Sequence, residues 1–313
     1  MAEAAFVDRK RGCPVISYSQ QQGEKPVHRV ITEAPETGSK GNLPPWQDYP
    51  LGGTQVEEER LIRQATDYEP RARLLLDRIG VQPGSSVADI GCGPLGILHL
   101  LSERVGPLGR VVGLEREPRF AARARAEIAR RGLTNVSIVD GDALATPLKK
   151  QSFDLVHERL VMINVSARET LLAEMLSLLR PGGTVVLEEV DNVSWLCQPA
   201  HPSWDAIHRA FHAVFQADGG DPFVGRRLPE LLRAAGVQDI QVAMDVDLAL
   251  PGEYQRMHLV SLLDSVRERV LSMGLLRDEE ATTHREALVA HHSDSATTVI
   301  DKLRVQAWGR KSK

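Results

Sequence analysis

A doubly wound α/β sheet is the fold class this sequence predicts, and three observations predict it. From Ser86 onward, short apolar runs alternate with amphipathic stretches, beginning with "SVADI" and "LGILHLLSERVG". That alternation marks a parallel sheet with helices on both faces. The first apolar run leads directly into Gly91-x-Gly93-x-x-Gly96, a strand-to-helix turn in which backbone can approach a ligand closely. A carboxylate, Glu115, ends the second run nineteen residues after Gly96.

The elements follow in order. Residues 1–45 read as an irregular N-terminal arm, because Pro14, Pro26, Pro35, Pro44 and Pro45 interrupt any helix and Gln20 to Gln22 are low in complexity. Residues 46–80 read as a helical lid. Thr54 and Glu57 have capping-box spacing before the helix "EEERLIRQA", and a second helix, "PRARLLLDRIG", is expected after Pro70. Residues 81–192 form the core: strands "SVADI", "GRVVGLE", "VSIVD", "FDLVHE" and "TVVLEEV", with helices between them and Pro181-Gly182-Gly183 as a helix stop and turn. Residues 193–313 supply the helix "LPELLRAAG", the strands "IQVAMDVDLAL" and "LRVQAWGR", and about fifty largely helical residues between those strands. That insertion is too long for a plain connection and should cap the ligand edge of the sheet.

Composition narrows the function. A chain of 313 residues with 42% hydrophobic content can bury an ordinary core. Its formal charge of −4 offers no broad attraction to a polyanion, so no nucleic-acid partner is expected. The Arg-rich helix from Arg116 to Arg131 has interleaved acids and reads as a solvated face. Cys13, Cys92 and Cys197 are scattered thiols that fit a reducing compartment. The opening "MAEAAFVDRKRGCPV" carries charges where a secretory apolar region would run, and no stretch reaches the roughly 18 apolar residues of a membrane span. A cytoplasmic protein without a membrane partner is expected.

The ligand follows from Asp89, two residues before the first glycine. A nicotinamide or flavin dinucleotide would place its pyrophosphate in this turn, where a neighbouring carboxylate is unfavourable. A cofactor carrying an amine and a sulfonium would welcome that charge, which points to S-adenosyl-L-methionine (SAM). On this argument, reversing the charge at position 89 should abolish SAM binding and leave the fold intact. Glu115 is placed to accept hydrogen bonds from both ribose hydroxyls, a feature shared with NAD folds. Asp142 and Ala143, after the third strand, suit the adenine amine and ring.

From about residue 84 to 190 the chain resembles a class I SAM-dependent methyltransferase. It is most similar to the small-molecule branch containing quinone-biosynthesis and actinobacterial natural-product enzymes. "GGDPFVGRRLPELLRAAG" and "YPLGGTQVEEERLIRQA" extend the resemblance more loosely. The resemblance implies a Rossmann-like sheet with a helical N-terminal lid and helical cap insertions. It implies that Asp89, Gly91 and Gly93 hold the methionine part, Glu115 the ribose, and Asp142 with Ala143 the adenine, with Cys92 and Arg116 as further cofactor contacts. His157 and Arg159 would complete the pocket, with Tyr49 and Gln64 as lid contacts. Glu115 stands where Asp is commoner, and Glu158 where small polar residues are more usual.

Methyl transfer from a sulfonium is an in-line displacement that needs alignment and exclusion of water more than covalent help. A general base is needed only for a protonated acceptor. Glu158 and Asp191, at the carboxyl ends of central strands, are the candidates; surface or cofactor contact is their alternative role. Trp195, Trp204, Phe211, Phe215 and Phe223 fall within 29 positions, which favours an apolar or ring-bearing small-molecule acceptor, or else packing of the cap. The amphipathic "QRMHLVSLLDSVRERVLSMGLL" would roof the pocket or form a homodimer contact. His208 and His212 have i, i+4 spacing but no third ligand at a supporting interval, so no metal is expected. His291 and His292 read as an exposed loop pair. Two other functions stay open at this level: a SAM-binding cyclase or regulator that transfers no methyl group, and an NAD(P)-dependent oxidoreductase. The latter is disfavoured by Asp89 and by the lack of a fitting Tyr-x-x-x-Lys pair.

Overall fold

The computed structural model describes residues 15–17, 51 and 53–312. Strands β1 (Val15–Ser17), β2 (Ser86–Ile90), β3 (Arg110–Glu115), β4 (Val136–Asp140), β5 (Phe153–Arg159) and β6 (Leu179–Asp191) come first along the chain. They are followed by β7 (Leu196–Gln198), β8 (Gln238–Asp245), β9 (Leu248–Ala249), β10 (Thr298–Ile300) and β11 (Leu303–Arg310). The helices are α1 (Gln55–Ile79), α2 (Leu98–Val105), α3 (Pro118–Arg131), α4 (Arg168–Leu178), α5 (Pro202–Ala217), α6 (Leu228–Ala234), α7 (His258–Ser272) and α8 (Asp278–Ser293).

The main sheet has the order β1-β8-β11-β6-β5-β2-β3-β4. Strands β4, β3, β2, β5 and β6 pair in parallel, whereas β11 runs antiparallel to both of its neighbours. The order reverses between β2 and β5, which opens a crevice at their carboxyl ends, where α/β sheets bind ligands. Because β11 is reversed, its first residues lie at that same edge. Two apolar clusters cover the two faces: α1 and α2 pack on one through Leu75, Leu76, Leu100 and Leu101, while α4 to α7 cover the other and the cap. A small sheet, β7-β10-β9, ties the cap together.

Local signals account for most boundaries. Thr54 caps α1 by accepting from the Glu57 amide at 3.2 Å, and Gly80 ends the helix in the left-handed conformation. Four expectations change. Pro70 does not divide the lid: α1 is one helix of 25 residues. Its first half lines a cavity and its second half packs Ala72, Leu75 and Leu76 on the sheet. That burial offsets the ~3 kcal/mol that an interior proline costs. Pro181 to Gly183 belong to β6, where the Gly182 amide donates to Lys311. Within the expected irregular arm, residues 15–17 form β1 on the sheet edge, paired with β8. Finally, His291 and His292 lie on α8, and His292 is buried against Trp204.

Candidate functional site

A large cavity runs along the carboxyl edge of the sheet, from the glycine turn to the underside of the cap. Gly91, Cys92, Gly93, Pro94 and Gly96 form its floor, with Glu115, Arg116, Asp142 and Ala143 at one end. Gln64, on α1, lies in its lid wall. Tyr49 lies outside the described residues.

The turn is built for close approach. Gly91 has φ +66°, and a Cβ there would lie 2.5 Å from Val161. Gly93 has φ +61° with no atom within 4 Å of an added Cβ, so it faces open space for a ligand. Its amide donates to Glu115 Oε2 at 2.8 Å, and Glu115 Oε1 accepts from the Arg116 and Glu117 amides at 2.9 and 2.8 Å. Burial raises the Glu115 pKa against these bonds. Each carboxylate oxygen can still accept from a hydroxyl, so the residue both fixes the turn and remains available to a ribose. Asp142 Oδ1 accepts from the Leu144 amide at 2.8 Å, and its Oδ2 is 3.9 Å from Arg116.

Asp89 has a partner that the sequence did not disclose. Its Oδ1 is 2.7 Å from His157 Nδ1, and His157 Nε2 is 2.8 Å from Glu188 Oε1 on β6. Gln306 on β11 donates to the other Glu188 oxygen at 2.7 Å. Burial disfavours charge on His157, but the bonds to Asp89 and Glu188 outweigh it and lift the imidazole to about 9. At neutral pH this is a carboxylate–imidazolium–carboxylate chain with one net negative charge, crossing three strands beneath the turn. Asp89 therefore presents only a shared charge to the cavity. Reversing it would set two buried cations side by side, so the expectation that the fold survives such a change is corrected.

The two proposed bases are placed elsewhere. Side chains alternate along a strand, so His157 and Arg159 face the cavity while Glu158 projects to the opposite face. There Glu158 Oε2 accepts from the Val161 and Met162 amides at 3.0 and 3.3 Å. Its carboxyl interacts with that of Glu189, itself bonded to the Ile163 amide at 3.0 Å. Burial raises Glu158 to about 7, and burial together with the neighbouring Glu158 carboxyl raises Glu189 well above the usual carboxylate range. Asp191 is buried, accepts from the Val193 amide at 2.9 Å, and binds both Nε and Nη2 of Arg226. Neither carboxyl lines the cavity, and both stabilise the loops that follow their strands.

The cap end is apolar with a polar core. Phe211, Phe215, Pro222 and Leu262 line it, whereas Trp195 and Trp204 pack edge to face at 5.5 Å in the cap and Phe223 lies under Arg226. Helix α7 directs His258 and Leu262 into the cavity, so its apolar face roofs the site. Arg60, His258 and Lys302 are among the lining residues that nothing in the sequence singled out. His258 lies in a stretch already marked as amphipathic, but nothing in the local pattern distinguishes Lys302. Among the described residues there is no cluster of three or more His, Cys, Asp or Glu suited to a metal. His212 instead contacts Asn192 at 2.8 Å.

A reversing parallel sheet, a glycine cradle and a strand-end carboxylate define a nucleoside-cofactor site. Comparison with known proteins makes it specific. A methyltransferase-domain family model matches residues 82–232. The demethylmenaquinone methyltransferase of Lactococcus lactis is 31% identical over 196 residues, covering 58% of this chain and 73% of that protein. Nocamycin O-methyltransferase of Saccharothrix syringae is 39% identical over 121 residues, covering 38% of this chain and 43% of that enzyme. A phosphoethanolamine N-methyltransferase of Haemonchus contortus, solved with S-adenosylhomocysteine, shares the fold. Its TM-score is 0.50 at 17% identity, over 78% of this chain and 53% of that one. The chain belongs to the class I SAM-dependent methyltransferases, and SAM is its cofactor. Neither the dinucleotide alternative nor the non-transferring one is favoured. Among the described residues, no helix is long and apolar enough to cross a membrane.

Proposed function

We propose that the protein transfers the methyl group of SAM to a small apolar or ring-bearing metabolite bound beneath the cap. One observation carries this reading: the cavity that contains the glycine turn continues without a break to Phe211, Phe215 and Leu262. Gly91, Gly93 and the Asp89–His157 pair would hold the methionine part, Glu115 and Arg116 the ribose, and Asp142 with Ala143 the adenine. Gln64 and Arg159 would close over the cofactor from α1 and β5. SAM, when bound, supplies an electrophilic methyl group on a cationic sulfur. The chain aligns the acceptor with that methyl and keeps water out beneath α1, α5 and α7.

The test has two parts. S-adenosylhomocysteine should raise the melting temperature in proportion to its binding, and NADH should not. Incubation with SAM and candidate acceptors should then give a product heavier by one CH2, with S-adenosylhomocysteine released in equal amount. Demethylmenaquinone, named for the Lactococcus lactis relative, is a first acceptor to try. Tight binding of S-adenosylhomocysteine with no methylated product across phenolic, quinol and amine acceptors would refute the reading.

A further inference from the structure

The cavity has chemically opposite ends. Asp89, Glu115, Glu117 and Asp142 line the end at β2 and β3, and Arg60, His258 and Lys302 line the end at β6, β11 and the cap. Glu115 on β3 and Lys302, just before β11, are separated by four inter-strand steps. At about 4.8 Å per step, that is ~19 Å. A cofactor seated over β3 and β2 leaves the basic end free for the acceptor.

Lys302 is 4% exposed, an unusual state for an ammonium. Its Nζ is 2.7 Å from His258 Nδ1 and 4.0 Å from the centre of the Trp195 ring. Asp301 Oδ1 is 3.7 Å away, beyond hydrogen-bond reach, and the other Asp301 oxygen accepts from Arg304 at 3.2 Å. An ammonium has three donors, and His258 accounts for one of them. Around it, Arg60 is paired with Glu57 through bonds of 2.6 and 2.7 Å, and Arg60 Nη1 lies 3.4 Å from His258 Nε2. Burial lowers Lys302 to about 8, with Asp301 opposing and Arg60 and Arg304 adding to the shift. Burial, Lys302 and Arg60 together hold His258 well below its usual value. The imidazole is therefore neutral, with Nδ1 accepting from the lysine. His208 and His212, on α5, are also kept low by burial, and Lys302 adds to the effect on each.

We propose that this end of the cavity is a subsite for an acidic hydroxyl, a phenol or enol, whose ionised oxygen is held by Lys302 while His258 orients the amine. The proposal rests on the methyltransferase reading. Neutral Lys302 takes the hydroxyl proton, and the resulting ammonium holds the oxygen anion. An electron pair of that oxygen forms the new O–CH3 bond. The carbon–sulfur bond breaks with its pair passing to sulfur, whose positive charge disappears, and the ammonium later returns its proton to water. An amine that titrates near neutrality suits both roles. The titratable side chains that line the cavity, chiefly acidic at the donor end and basic at the acceptor end, suit the charges of the two reactants.

The experiment uses the full chain saturated with S-adenosylhomocysteine, and 4-nitrophenol as a probe whose anion is coloured. The bound probe should ionise about one pH unit lower than in buffer, a roughly tenfold preference for the anion. Its neutral methyl ether, 4-nitroanisole, should bind more weakly by a similar factor. Lys302→Met should remove the shift without weakening S-adenosylhomocysteine, and Lys302→Arg, which keeps the charge, should retain most of it. An unshifted probe in the wild type, equal binding of the ether, or a shift that survives Lys302→Met would overturn the proposal. Should Lys302→Met fail to hold S-adenosylhomocysteine, His258→Asn decides: a smaller shift is expected, and an undiminished one overturns the subsite. Failure of the wild type to bind S-adenosylhomocysteine is a different result, and refutes the methyltransferase reading itself.

Discussion

The donor end and the acceptor end of the cavity are held together in different ways. At the donor end, backbone does most of the positioning: amides of Gly93, Arg116 and Glu117 converge on one carboxylate, and the histidine between Asp89 and Glu188 pins three adjacent strands. At the acceptor end, side chains hold one another: Glu57 pairs with Arg60 within α1, Ser265 of α7 donates to Glu57, and Lys302, just before β11, bonds His258 of α7. A cofactor common to many enzymes can be met by fixed backbone. An acceptor peculiar to one enzyme is better met by side chains, which can change without disturbing the sheet.

The largest expected effect comes from breaking the donor end. Asp89→Lys should cost on the order of 3–5 kcal/mol in urea denaturation, because it removes the anion from a buried chain and adds a second cation beside His157. Stability unchanged by that substitution would mean that the Asp89–His157 pair does not form. Next comes Glu115→Ala. Loss of charge-assisted bonds to the turn should weaken S-adenosylhomocysteine by about 1.5–3 kcal/mol in calorimetry, while the acceptor-end probe keeps its ionisation shift in the protein that remains saturated.

The pH dependence distinguishes the two ends further. His157 is raised from 6.5 to about 9, so its contribution to stability is complete below pH 6.5 and is lost as pH rises through 9. Lys302, lowered from 10.5 to about 8, acts in the opposite sense, with stability regained between pH 8 and 10.5. Glu158, raised from 4.5 to about 7, loses its contribution between those values. The interval from pH 7 to 8 thus belongs to His157 together with Glu189, which is raised well above the usual carboxylate range; His157 alone should account for a fall of about 1 kcal/mol there. In His157→Gln the slope should lessen by about that amount; an undiminished slope would assign it to another group. The smallest effect is expected at Glu158→Gln. It should leave S-adenosylhomocysteine affinity and turnover unchanged, and it should raise stability slightly above pH 7 by relieving the Glu158–Glu189 repulsion. A large loss of turnover would return Glu158 to the chemistry.

The donor end was legible in the sequence because its parts lie close together along the chain and obey short-range rules. Glycines at fixed offsets, an acid ending a strand and a helix starting after a turn each leave a local mark. Glu158 and Asp191 were misplaced for a related reason. A strand end brings residues to the site, but alternation sends every second side chain to the far face, and reading the end alone does not say which. His157 and Glu158 are neighbours in sequence, yet only one lines the cavity.

Pattern and composition by themselves determined the alternating α/β order, the glycine turn, the carboxylate that ends β3 and the existence of a cap, because hydrophobic periodicity and turn chemistry are local properties of a chain. Tertiary structure alone decided that Asp89 answers to His157 and Glu188, that Glu158 and Glu189 lie together out of reach of the cavity, and that Lys302 meets His258. Those contacts join residues from 31 to 68 positions apart. Their partners are chosen by strand order and by the reversed β11, and neither is written in any short stretch of the sequence.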